Sequence, residues 1–138
     1  MTRSLLAGLT YVAIVFAAGF ALGLLRVLWL MPTIGDLAGV ALELPLILLF
    51  SWFVCGWVIE RFRVPPSLRQ RALMGAVALV ILVLAELGVS IFMTRSVVGD
   101  LVHTYLSPAG ALALAGQLVF ALFPILRLAR ARAPLQTA

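Results

Sequence analysis

The sequence predicts an all-α integral membrane protein, a bundle of four transmembrane helices in one domain over residues 1–138. Three observations predict it. Hydrophobic residues make up 64% of the chain and charged residues 11%. A soluble domain carries roughly 25% charged residues, so this chain has too little polar surface to cover a water-facing globule. The apolar residues fall into four runs, each near the roughly 20 residues that a spanning helix needs. The breaks between the runs hold the proline, glycine and charged residues that end helices.

The first run covers about residues 4–30. Arg3 precedes it, as in a secretory signal, but the apolar stretch is too long for a signal core and no small-residue cleavage site follows a short one. It is expected to stay as a helix. "MPTIGD", residues 31–36, breaks the chain with Pro32 and Gly35. The second run covers about residues 37–59. "ERFRVPPSLRQR" follows, with Pro65 and Pro66 among charges, and its opening "ERFR" suits an anchor to acidic lipids. The third run covers about residues 72–93. In "RSVVGDLVHTYLS" the residues Val97, Val98, Leu101, Val102, Tyr105 and Leu106 recur at helical spacing, which predicts a short amphipathic helix on the membrane surface. Its His103 is the chain's single histidine and reads as a surface residue. Ser107 before Pro108 predicts an N-cap followed by proline at the first helical position of the fourth run, about residues 108–126. Residues 127–138 read as a polar, fraying tail.

Arginine placement gives the expected orientation. All ten basic residues are arginine, and eight lie at the termini or in the 60–71 loop: Arg3, Arg61, Arg63, Arg69, Arg71, Arg127, Arg130 and Arg132. Arg26 and Arg95 alone lie on the other side. Short cytoplasmic segments carry the excess of arginine and lysine, so both termini are expected in the cytoplasm of a bacterial inner membrane. The same layout argues against nucleic acid as the partner of the +5 net charge, because the arginines flank apolar runs and do not track a groove. The bilayer is the expected partner, with a homo-oligomer or a larger membrane protein as further candidates.

Four polar residues stand where hydrocarbon is expected. A rise of 1.5 Å per residue puts Arg26 about 6 Å, Glu43 about 9 Å, Glu86 about 10 Å and Gln117 about 14 Å from the outer ends of their helices. Helical periodicity sets each on a face with small residues: Gly19 and Gly23 with Arg26, Gly39 with Glu43, Gly75 and Leu82 with Glu86, and Gly110 and Ala113 with Gln117. Small residues mark faces where helices approach closely. Arg26, Glu43 and Glu86, joined by Gln117, are therefore expected to form one polar cluster in the outer half of the bundle. An isolated carboxylate costs about 2.5–3.5 kcal/mol at the bilayer centre on insertion scales. Two acids against one arginine call for a proton, a cation or water. Pro45 adds to this by freeing the carbonyl of Ala41.

These residues admit three roles: a register-fixing ion pair, a proton- or cation-linked transport site, or a contact with a lipid or larger membrane protein. Transport leads the functional readings, with an accessory subunit as its rival. Trp29 and Trp57 near span ends suit an aromatic belt. Trp52, Tyr11, Cys55 and the methionines suit the core. A lone cysteine excludes an internal dithiol redox pair. No HExxH, GxSxG or P-loop pattern occurs, so no enzyme, metal or cofactor is expected.

The stretch "RVLWLMPTIGDLAGVALELPLILLFSWFVC", with "AELGVS" and "AGQLVFALFP", resembles small four-helix bacterial inner-membrane proteins. The resemblance covers most of the chain and implies the same helical topology. It implies no activity and no functional residue. Small multidrug resistance transporters also have four short helices, but their key acid lies in the first helix, where this chain has only Arg26.

Overall fold

The computed structural model describes residues 2–94 and 106–132. Helix α1 spans Thr2–Leu25 and continues through a wider π-helical turn, Arg26–Leu30, into a short helix α2, Met31–Ile34. Helix α3 spans Asp36–Arg61, α4 spans Leu68–Thr94 and α5 spans Pro108–Arg132. The chain has four helical stretches long and apolar enough to cross a membrane: Thr2–Ile34, Asp36–Arg61, Leu68–Phe92 and Pro108–Ala131. The expected surface helix, Arg95 and His103 lie outside the described residues.

The boundaries differ from the sequence expectations for physical reasons. Pro32 does not end the first helix. It falls in the first turn of α2, where a missing N–H is tolerated, directly after the π-helical turn. The break comes at Gly35, whose φ of 82° lies in the left-handed region that glycine adopts freely. Helix α4 starts at residue 68 because Ser67 caps it, its Oγ accepting from the Gln70 N–H at 3.4 Å. Helix α5 runs past residue 126 into the expected tail because Leu128 is buried and Arg127 is held by α3. Ser107 does cap α5, its Oγ accepting from the Gly110 N–H at 3.0 Å.

Helix α1 packs against α3 and α4, and α5 packs against the same two. The four long helices thus form a ring in which α1 is diagonal to α5. One end of the bundle holds residue 2, the 62–67 loop and residue 132; it is called the terminal end below. The other holds Gly35 and Ser107 and is called the hairpin end.

Glycines draw the terminal half together. A Cβ on Gly8 would lie 2.8 Å from the Met74 carbonyl oxygen, and one on Gly75 would overlap the Ala121 carbonyl. Tyr11 closes the diagonal: its ring stacks on Phe120 with centroids 4.3 Å apart, and its hydroxyl donates to the Phe120 carbonyl at 3.1 Å. Met74, Cys55, Val58 and Phe123 fill the space around them. Met31 departs from the core expectation and is exposed. Outward, α3 shows Leu42, Leu46, Leu49 and Phe53 in one stripe, as a lipid-facing surface requires. Trp29 and Trp57 also face outward.

Candidate functional site

The turn at Gly35 folds α3 back along the end of α1. This brings Arg26 beside α3, where Gly39 leaves room: a Cβ there would lie 3.1 Å from Arg26 Cγ. Arg26 lies across that glycine and meets two acids. Its Nε donates to Glu43 Oε2 at 2.9 Å and its Nη1 to Asp36 Oδ1 at 2.5 Å. The side chains of Arg26 and Glu43 keep 24% and 18% of their exposure, so the pair is sheltered but not sealed. Arg26 also opens the π-helical turn, a distortion that recurs at functional sites.

Across the bundle, α4 and α5 supply a second pair. Gln117 Nε2 donates to Glu86 Oε2 at 2.6 Å. Gln117 is 8% exposed, and its Oε1 is buried with no hydrogen-bond partner among the described residues.

All four residues expected from the sequence line one cavity of about 570 Å³. Two hydrogen bonds join them, Arg26 to Glu43 and Gln117 to Glu86. Helix α1 neighbours both α3 and α4, and Gly39 gives the Arg26 side chain its room on the α3 side. Asp36 is the residue missed, because "MPTIGD" read as a loop. The signal was present in its spacing: seven residues, two turns, put Asp36 on the face of Glu43.

The cavity reaches from Asp36 and Ser107 down to Ser51 and Phe120. Along α3 this is about 22 Å at a rise of 1.5 Å per residue. Its wall also carries Ser90 and the apolar groups Phe16, Phe20, Leu44 and Ile47. Gly19 and Gly23 line it too, so the GxxxG face points into the protomer. A Cβ on Gly23 would meet nothing within 4 Å. The floor is the Tyr11–Phe120 contact.

The terminal end carries a different polar group. Arg127 donates from Nε and Nη2 to the Trp52 carbonyl at 3.2 and 2.7 Å and stacks over the Trp52 ring. Arg130 also lies over that ring, and Phe123 meets its edge. Arg71 is buried, donates from Nη2 to the Val64 carbonyl and leaves Nε and Nη1 without partners among the described residues.

Carboxylates in a cavity can exchange protons or hold a cation. The Glu86–Gln117 pair can do so with little movement. Ionised Glu86 accepts from the amide N–H. Protonated Glu86 can donate instead, to the amide oxygen, once the amide turns over. No family model, curated protein or solved structure matches the chain. Its four long apolar helices make it a multi-pass membrane protein.

Proposed function

We propose that the protein carries out proton- or cation-linked transport in a bacterial inner membrane, with both termini in the cytoplasm and the cavity open toward the opposite side. The observation that carries this reading is the placement of three carboxylates, Asp36, Glu43 and Glu86, on the wall of one cavity that reaches the hairpin end. A purely structural ion pair needs no such space. In this reading Arg26 holds Glu43 and Asp36 in place, and Glu86 is the group that gains and loses the proton. The Tyr11–Phe120 contact is the gate that must part for passage to the cytoplasmic side. Gly19 and Gly23 are taken up by the cavity, so a homo-oligomer uses another face.

Proteoliposomes with an imposed pH gradient test the reading. Proton flux through the parent protein, abolished in Glu86→Gln and reduced in Glu43→Gln, is the expected result. Absence of flux in the parent, or equal flux in all three proteins, contradicts it.

The accessory-subunit reading draws on another observation. A shallow apolar groove between α1 and α4, lined by Phe20, Ala85, Gly88, Val89 and Phe92, leaves Phe92 89% exposed. A partner helix would fit there. Purification as a homogeneous, flux-competent protein without a second chain speaks against it.

A further inference from the structure

We infer that the cavity takes an amphipathic organic cation, a protonated amine on an apolar body about the size of an aromatic ring. The inference deepens the transport reading and rests on it for movement; binding alone follows from the cavity.

The sign of the ligand comes first. Among the described residues that line the cavity, three are acids and one is basic. The one guanidinium is already engaged by Asp36 and Glu43. An anion would have to displace a carboxylate to reach it.

The need for a donor comes second. Gln117 is more than nine-tenths buried, lines the cavity, and has an amide oxygen with no partner. A buried acceptor left unmade is costly. An ammonium supplies N–H donors, and turning the Gln117 amide over would offer its oxygen to one while giving up the N–H donated to Glu86. A bare metal ion fits less well, because hard cations take six or more oxygen ligands in a compact shell. Here the oxygens are spread over α3, α4 and α5, and among the described residues no three acids, cysteines or histidines are grouped so as to hold a metal ion.

The apolar body comes third. Phe16, Phe20, Leu44, Ile47 and Phe120 make up much of the remaining wall. A volume of about 570 Å³ lies within the range of small-molecule sites, roughly 300–1,000 Å³ with few convergent polar groups. Aromatic faces also attract cations.

Calorimetric titration of the full chain in lipid nanodiscs with phenethylamine, protonated at neutral pH, tests the inference. Phenethyl alcohol, phenylacetate and sodium chloride are titrated in parallel. The amine is expected to bind at least about tenfold more tightly than the alcohol, the scale of one hydrogen bond to a charged group. Phenylacetate and sodium are expected to give no saturable heat. Glu86→Gln and Gln117→Leu are each expected to weaken the amine about tenfold. Gly23→Leu, which fills the cavity and touches none of the acids, is expected to weaken it as well and serves if the polar variants do not fold. Equal binding of amine and alcohol, preferential binding of sodium, or full amine affinity in Gly23→Leu overturns the inference. Proton flux without amine binding defeats this inference and leaves the transport reading standing. Amine binding without flux does the reverse.

Discussion

The two halves of the bundle use the same residue types to opposite ends. In the terminal half, Gly8 and Gly75 let carbonyls of neighbouring helices approach within the space a Cβ would fill. In the hairpin half, Gly19 and Gly23 face space: the first meets only Ile47, the second nothing within 4 Å. Glycine thus closes the terminal half, while in the hairpin half Gly19 and Gly23 leave space and Gly39 and Gly116 are met by Arg26 and Leu44. The polar groups divide in the same way. Tyr11 is buried and bonded to a backbone carbonyl in the core, and Ser51, at the deep end of the cavity, is buried and bonded to one as well. Arg26 bonds to Glu43 and Gln117 to Glu86 on the wall of a cavity. A small residue on a helix face therefore says that something is close or that something is missing, and the neighbouring helix decides which.

Substitutions can break this contrast. The largest effect is expected for Gly75→Leu, which drives a side chain into the Ala121 carbonyl. Overpacking costs about 1–3 kcal/mol or more, and here backbone must move, so thermal unfolding in detergent should find little folded protein. Arg26→Met comes next. It strands Glu43 and Asp36 without a cation, and a partner removed from a sealed pair costs about 3–5 kcal/mol. Partial exposure lowers the expectation to about 2 kcal/mol. The double variant Arg26→Met with Glu43→Gln should recover part of the loss, and strict additivity would show that the two residues are not coupled. Tyr11→Phe removes the bond to the Phe120 carbonyl and should cost about 1 kcal/mol. It should also raise passive proton leak, since it loosens the floor of the cavity. The smallest effect belongs to Gly23→Leu. Filling open space should leave stability unchanged, or raise it by about 0.5–1 kcal/mol through helix propensity. A strong destabilisation there would mean that the hairpin half is packed after all.

Much of this was legible before the structure. The four spans follow from apolar run length, and the cap at Ser107 from Ser-Pro. The face shared by small and polar residues was legible from 3.6-residue periodicity. The pairing was not, because periodicity tells which side of a helix faces inward but not which helix stands next to it. The order α1, α3, α5, α4 around the ring sets α1 beside both α3 and α4, and the bond from Arg26 to Glu43 depends further on the room at Gly39. Asp36 was hidden by Pro32, which reads as a break but is tolerated after a π-helical turn. The continuation of α5 was hidden because "RLARAR" looks like a solvated tail. Arg127 instead bonds to the Trp52 carbonyl, and Leu128 is buried.

Cysteine accessibility tests the central claim, a water-reached polar cavity at the hairpin end, most directly. In a Cys55→Ala background, single cysteines are placed at Ala113 on the cavity wall, at Leu42 on the lipid-facing stripe, and at exposed Leu106 near the Ser107 cap. A membrane-impermeant thiol reagent is then applied to the protein in nanodiscs. Labelling at positions 113 and 106 with none at 42 is the predicted outcome. A position 113 that resists the reagent while 106 reacts would show that water does not enter, and the account of the site would fail.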